Sequence, residues 1–252
     1  MKISLITVVY NAEAFLQNCI ESVLMQNYND VEYIIIDGGS TDGTLGIIEK
    51  YRSNINHFIS EQDKGLYDAL NKGIALAKGD VIGILNADDE FAAVDVLSSV
   101  AEKFRQQTDA EGLYGDLNYI NPVTKKIVRE WHSKTATFKD IENGWMPAHP
   151  TLYLKRNLFE KLGGYAIDLG TAADYDLILR YLHLHKIRTV YLPCLMVNMR
   201  TGGVSNKSLK SRVDAALNDY KALKRNKIRN PLIVLLKKKL SKLNQFSILK
   251  AN

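Results

Sequence analysis

Four short apolar runs punctuate the first 85 residues: Ile3 to Tyr10, Val31 to Asp37, His57 to Ser60 and Val81 to Leu85. The segments between them, Ala12 to Gln26, Thr44 to Tyr51 and Leu66 to Ala77, carry helical spacing. Apolar β-branched runs separated by amphipathic helices predict an α/β chain with a mostly parallel central sheet and helices on both faces. Ligands of such sheets bind beyond the carboxyl ends of the strands. Those ends are all polar here: Tyr10-Asn11, then Asp37-Gly38-Gly39-Ser40-Thr41-Asp42-Gly43, then Glu61-Gln62-Asp63-Lys64-Gly65, then Asn86-Ala87-Asp88-Asp89. They are expected to ring one edge.

Adjacent carboxylates at the rim of a sheet repel one another unless something positive sits there, and a hard divalent cation carrying a diphosphate meets that need. Asp88 and Asp89 also suit the start of a helix, where acidic side chains cap free N–H groups, so the tetrapeptide alone leaves both readings open. The Asp37 to Thr44 segment is likewise open. Its glycines suit a sharp strand-to-helix turn, and Asp37 is placed to accept hydrogen bonds from a nucleobase or ribose. The spacing matches neither the dinucleotide fingerprint nor the phosphate-binding P-loop, which argues against hydride transfer and ATP hydrolysis.

Beyond residue 110 the pattern loosens. Gly112 to Asn121, Lys126 to Trp131 and Thr151 to Leu154 read as strands, Lys155 to Leu162 and Asp174 to His185 as helices, and Asn143 to Pro150 as a turn-rich loop. Two basic helical segments follow, Lys207 to Lys227 and Pro231 to Leu243. Of 33 basic and 28 acidic residues, 13 and 2 lie after Val204, leaving 20 and 26 before it. An acidic body with a basic tail presents two surfaces. The apolar run Pro231 to Leu236, flanked by lysines and arginines, suits an anionic membrane surface, and a helix packed on the body is the alternative. No aromatic interleaving supports nucleic-acid binding. No stretch reaches the roughly 18 apolar residues of a spanning helix. Cys19 and Cys194 lack metal-ligand spacing and point to a reducing compartment. With Ile3 to Tyr10 read as a strand rather than a signal sequence, a cytoplasmic protein, peripheral on the inner face of the cell membrane, is expected.

The motifs Val9-Tyr10-Asn11, Asp37 to Thr44, Asp63-Lys64-Gly65 with Asn71-Lys72-Gly73, Gly79-Asp80 and Asn86-Ala87-Asp88-Asp89 together resemble the successive motifs of family 2 glycosyltransferases, inverting enzymes of GT-A fold. The likeness covers about residues 3–204. It implies a glycosyltransferase domain over 1–204, with a nucleotide-sugar half at 1–110 and an acceptor half at 111–204, followed by a basic helical extension at 205–252. It also implies Val8, Tyr10, Asp37, Lys64, Asn86, Ala87 and Asp88 as the nucleotide-sugar-binding set, with Asp88 holding Mg²⁺ or Mn²⁺. Tyr10 would sit against the base, Asp37 would hydrogen-bond it, and Lys64 would lie near base or phosphates. Asn86 departs from the family's Asp-x-Asp pattern by keeping an acceptor and losing a charge.

In Gly170 to Arg180 the resemblance makes Asp174 the catalytic base, with Ala173 in place of the family's Glu. Helix capping by Asp174 and Asp176 is the alternative. Asp176 and Arg180, spaced i,i+4, form a candidate supporting pair. Arg200, before Gly202-Gly203, suits a mobile loop over phosphate. Asp89, Asp116, Trp145 and His149 are candidate acceptor-side residues. The expected reaction moves one sugar from a nucleoside diphosphate sugar, most simply a UDP-sugar, to a hydroxyl of a glycan or polyprenyl-diphosphate-linked oligosaccharide in O-antigen or capsule assembly. A nucleotidyltransferase of related fold and a catalytically silent nucleotide-sugar-binding module are the rivals.

Overall fold

The structure, a computed structural model, describes residues 1–201 and 209–238 of the chain. In chain order its elements are β1 (Ile3–Val9), α1 (Leu16–Leu24), β2 (Val31–Asp37), α2 (Thr44–Lys50), β3 (His57–Ser60), α3 (Leu66–Leu76), β4 (Val81–Ile84) and β5 (Glu90–Phe91). Then follow α4 (Val96–Gln106), β6 (Gly112–Ile120), β7 (Ile127–Trp131), α5 (Phe138–Glu142), β8 (Tyr153–Lys155), α6 (Arg156–Leu162), α7 (Ala173–Ile178), β9 (Thr189–Arg200) and α8 (Leu209–Arg225).

The strands form one sheet in the order β3-β2-β1-β4-β8-β6-β9-β5, with β7 paired to the outer part of β6. β3, β2, β1 and β4 are parallel neighbours, β8 is antiparallel to both its neighbours, and β6 and β9 run parallel again. This is the mostly parallel sheet that the apolar runs predict. Alternate side chains leave it on opposite faces. Ile6, Val8, Ile34 and Ile36 pack with Ala69 and Leu70 of α3 and Leu177 of α7. Leu5, Val9, Tyr33 and Ile35 pack on the other face with Leu16, Ile20 and Val23 of α1 and Val96, Val100 and Phe104 of α4.

α1 begins at Leu16 rather than Ala12, because Ala12 to Phe15 closes a separate turn in which the Ala12 carbonyl accepts from both Phe15 and Leu16. Its N-cap, Phe15, supplies no side-chain hydrogen bond. A missing cap costs about 1 kcal/mol, whereas each buried aliphatic side chain contributes about 1.5–3 kcal/mol. Tertiary burial therefore decides where this helix stands. Thr151, expected to open a strand, ends a 3₁₀ turn at His149–Thr151, and β8 starts at Tyr153. The helix expected to His185 leaves α geometry after Ile178 and finishes as a π-helical stretch, Leu179–Leu184.

The C-terminal extension packs on the body. Ala222, Leu223, Ile228 and Val234 are buried in the same cluster as Leu177 of α7. Asn226, 1% exposed, donates from Nδ2 to Asp176 Oδ1 at 2.8 Å, and Arg225 pairs with Asp168 at 2.5 Å. The first expected basic helix is seen as α8, with Asn226 and Lys227 in the turn that follows it, and the second over residues 231–238; residues 207–208 and 239–243 lie outside the described residues. Among the described residues no helix is long and apolar enough to cross a membrane.

Candidate active site

The carboxyl ends of β1 and β2 form one corner of a polar cleft. Asn11, just past β1, takes a left-handed conformation (φ 47°), its N–H donating to Ser40 Oγ at 2.8 Å while its Oδ1 accepts from Thr41 N–H at 2.8 Å. Asparagine tolerates that backbone better than most residues. The turn leaves Tyr10 63% exposed at the rim. Beside it Gly38 leaves the backbone bare, and a Cβ there would lie 2.5 Å from Asp63 Oδ2, so that carboxylate would have to swing aside. An aromatic side chain, bare backbone and a carboxylate thus lie together, groups that can meet a flat, hydrogen-bonding ring. Lys64, next to Asp63, is exposed, with its backbone N–H on Asp68 at 3.0 Å.

Asp37, expected to meet the base, is fully buried and already accepts from Gly39 N–H (3.1 Å), Ser40 N–H (3.0 Å), Ser40 Oγ (2.5 Å) and Ser60 Oγ (2.7 Å). Four donors fill a carboxylate's capacity. In this arrangement Asp37 shapes the loop that follows β2, and a contact to a base requires exchange of one of those bonds. Val8 and Ala87 are likewise packed in the core, so they can meet a ligand only through the main chain.

At the end of β4 the two acids differ sharply. Asp88 is half-buried, whereas Asp89 is 0% exposed. Burial raises the Asp88 carboxyl from its ordinary value against the opposing pull of its own N–H and of Arg200. Burial and then the Asp88 charge raise Asp89 further, although Asn86 and Arg200 donate to it. Asn86 Nδ2 reaches Asp89 Oδ2 at 2.9 Å, and the Arg200 N–H reaches Asp89 Oδ1 at 3.3 Å. That geometry explains the missing charge at residue 86. A carboxylate there would face the buried Asp89 instead of donating to it.

Asn86→Asp is therefore expected to destabilise the fold by about 1–3 kcal/mol, with a melting temperature lower by about 2–4 °C for each kcal/mol. The added carboxyl has a raised folded pKa, so the penalty is absent below the unfolded carboxylate range and full once pH passes the folded value. Thermal melts across that range would show a gap that widens with pH; a constant gap would contradict the account.

Asp89 is turned into the fold, not toward an acceptor. Arg200 also departs from expectation: it is the last residue of β9, 7% exposed, with its guanidinium on Glu90 Oε1 at 2.6 Å and 4.8 Å above the Phe15 ring. It braces the acidic pair rather than sitting in a loop, and Gly202-Gly203 lies outside the described residues.

The opposite flank of the cleft is built by α3, the His149 turn and α7. Asp174 is half-buried in the first turn of α7 and accepts from Tyr175 N–H at 2.6 Å. His149 Nε2 lies 2.7 Å from Tyr165 Oη, and the Tyr165 and Tyr67 rings are 5.4 Å apart. Asn71 fixes Tyr165 from both sides, donating to its carbonyl at 2.9 Å and accepting from its N–H at 2.8 Å. Burial pushes the Tyr67 and Tyr165 phenols up, and the Asp174 charge adds to both. Burial lowers His149, with Asp174 pulling the other way. The half-buried Tyr119 phenol is raised by burial against the pull of Arg129, whose guanidinium lies 4.6 Å over its ring, with smaller upward contributions from Asp89 and Asp174. Asp176, 1% exposed, pairs with Arg180 Nε at 3.6 Å, as the i,i+4 spacing predicts.

Asp116 does not face open space. Its carboxylate accepts from Ser133 N–H at 2.7 Å and from Tyr191 Oη at 3.0 Å. Trp145 is half-buried, edge-on to Tyr114 at 5.6 Å. Sequence reasoning missed Tyr67, Glu90, Tyr119 and Tyr165. Only Tyr67 carried a signal, its place directly after the Asp63-Lys64-Gly65 turn.

Residues 4–167 match the family described as Glycosyl transferase family 2. The chain belongs to that family. A PGL/p-HBAD biosynthesis glycosyltransferase of Mycobacterium bovis is 29% identical over 210 residues, covering 81% of this chain and 78% of its own. Among solved structures, Staphylococcus aureus TarS in complex with UDP-GlcNAc superposes with a TM-score of 0.70 at 18% identity, over 94% of this chain and 71% of the other. The mannosyltransferase PcManGT of Pyrobaculum calidifontis, in complex with GDP-Man and Mn²⁺, gives 0.65 at 18% identity, over 94% and 68%. The fold of this family 2 glycosyltransferase is GT-A, and the nucleotidyltransferase alternative is set aside.

The residues of the glycosyltransferase fit a divalent cation of the Mg²⁺ or Mn²⁺ kind. Asp88 is a half-buried carboxylate whose charge Arg200 only partly offsets. Among the described residues no cluster of three or more His, Cys, Asp and Glu side chains makes a closed cage. Mg²⁺ is commonly held by one or two carboxylates together with substrate phosphates, and Asp88 can serve as such a carboxylate.

Proposed function

We propose that this glycosyltransferase moves one sugar, with inversion, from a nucleoside diphosphate donor, UDP-linked, to a hydroxyl of a glycan or lipid-linked glycan during assembly of a cell-surface polysaccharide. The observation that carries the reading is the division of acidic groups. Asp88 stands just past β4, the sheet neighbour of β1, which leads to Tyr10, and Asp174 stands apart on α7, where its charge is felt by Tyr67, His149 and Tyr165.

In the mechanism that follows, Tyr10 and Gly38 receive the base, and Lys64 and Asp88 lie toward the phosphates. Asp88 would hold a Mg²⁺ or Mn²⁺ ion, which would offset the charge gathering on the diphosphate. Asp174 takes the acceptor hydroxyl proton as the hydroxyl attacks, because an alcohol is a poor nucleophile until its proton is removed. Attack from the face opposite the leaving group inverts the anomeric carbon, with no covalent sugar–protein species. The complexes of TarS with UDP-GlcNAc and of PcManGT with GDP-Man and Mn²⁺ support this donor class. The lysines, arginines and exposed aliphatic side chains of the C-terminal segment support work at the inner face of a membrane.

A panel of UDP-, GDP- and TDP-sugars, with nucleoside diphosphate release followed with and without Mn²⁺, tests the reading. UDP release that requires the cation is expected. Diphosphate release from a nucleoside triphosphate would overturn it.

A further inference from the structure

Helical residues 231–238 lie over the body so that their two faces do different things. Val234 is 4% exposed, and its Cγ1 would be 3.1 Å from a Cβ on Gly144, a residue in the turn after α5. Leu232, Ile233 and Leu236 point away from the body, 71%, 53% and 60% exposed. Three large aliphatic side chains on one short helix, with the opposite face already packed, are not explained by folding.

Beside this apolar rim runs a cleft of about 490 Å³. Lys139 of α5 lines one wall, and Lys227, Arg229 and Lys237 line the other. Among the described residues none of these four cations has a carboxylate within 4.0 Å; Lys237 donates to Asn143 Oδ1 at 2.6 Å. The single acid on the wall, Glu142, lies 3.7 Å from His183 Nδ1. A concave, cationic and unneutralised surface attracts a multivalent anion. The adjoining apolar rim selects among anions, because a free phosphate has no use for Leu232, Ile233 and Leu236, whereas a phosphate joined to hydrocarbon uses both features.

We propose that this cleft binds the phosphate-bearing headgroup of a membrane lipid, with Lys139, Lys227, Arg229 and Lys237 around the phosphate and Leu232, Ile233 and Leu236 in the hydrocarbon boundary. The site rests on the reading that the chain works at a membrane surface, and it is separate from the chemistry at Asp174. Its position carries a consequence for the reaction. Asn143 lines the cleft, Gly144 touches Val234, and Trp145 meets Tyr114 on the acceptor half, so a headgroup held here lies next to the segment that leads to the acceptor side.

The test is sedimentation of the full chain with phosphatidylcholine vesicles, with and without phosphatidylglycerol. Wild type is expected to bind only the anionic vesicles. Lys227→Glu with Arg229→Glu is expected to weaken that binding by about tenfold or more, given the pull of an anionic surface on each basic residue. Leu232→Ser with Leu236→Ser, exposed positions that leave the charges in place, is expected to weaken it as well. Thermal melts and donor turnover on a water-soluble acceptor without vesicles should match wild type in both variants. Failure of transfer in wild type would strike at the proposed reaction and leave the vesicle result standing. Undiminished vesicle binding in the charge variant would overturn the site. So would binding that inorganic diphosphate abolishes and that ignores the leucine substitutions, which would mark a free-anion site.

Discussion

Asp174→Asn is expected to lower sugar transfer by about 10²- to 10⁴-fold, the range that a positioned general base contributes, while donor binding stays within about twofold. The substitution conserves shape, and an amide oxygen can still accept from Tyr175 N–H as Asp174 Oδ1 does at 2.6 Å. What is lost is proton affinity beside the acceptor hydroxyl. A second readout separates chemistry from folding. Asp174 is the charge that holds His149 up against burial, so its removal should drive the histidine pKa further down in a titration followed by NMR. A variant that transfers sugar at the wild-type rate would remove Asp174 from the mechanism and revive the silent-module reading of its neighbourhood. A His149 pKa that does not move would show that the two groups do not share a pocket.

The first half of the fold was legible because its signals are local. β1, β2, β3 and β4 are short β-branched runs, and each polar strand end sits where the chain itself must turn, so residue order alone brought Tyr10, Asp63 and Asp88 to one edge. Beyond residue 110, β6 and β7 were legible as well, whereas β9 hid for physical reasons. β9, from Thr189 to Arg200, includes Pro193, which has no N–H to give a ladder. The structure absorbs it as a bulge: Tyr114 pairs with Tyr191, yet Asp116 pairs with Leu195. A strand interrupted in that way has neither the period nor the composition of the first four. The two-residue β5 is shorter than any periodicity can reveal, and it exists because Phe91 and Glu90 find Val197 and Asn198 on β9.

Residue placements were legible where charge or glycine spacing set them and illegible where burial did. Nothing in the order Asp37-Gly38-Gly39-Ser40 says that Ser40 and Ser60 will saturate the carboxylate, since Ser60 arrives from another strand. Arg200 looks like a loop arginine in sequence because two glycines follow it closely. Its partner Glu90 is 110 residues away, and only the sheet joins them. The aromatic surround of Asp174 is the same case, with Tyr67 from α3 and Tyr165 held in place by Asn71 of that helix.

Asp88→Asn and Asp89→Asn are expected to fail in opposite ways, although the residues are adjacent. Asp88 is half-buried and electrostatically uncomfortable, so losing its charge relieves desolvation and the field on Asp89, and the melting temperature should hold or rise. Turnover should fall by about 10²- to 10³-fold, the cost of removing one group that offsets transition-state charge. Mn²⁺ should no longer tighten UDP binding in calorimetry. Asp89 is sealed inside, accepting from Asn86 Nδ2 and Arg200 N–H. An asparagine there can meet only one of those donors with its oxygen and must turn its own amide toward the other. That mismatch should cost about 1–3 kcal/mol of stability in acid. Because burial and the Asp88 charge raise the Asp89 carboxyl, the deficit should narrow as pH rises from the unfolded carboxylate range to its raised folded value. Mn²⁺-dependent UDP binding should survive it at temperatures where the variant is folded. If the cation dependence disappears with Asp89→Asn and persists with Asp88→Asn, the metal belongs to the buried acid, and the β4 end must open before a donor can bind.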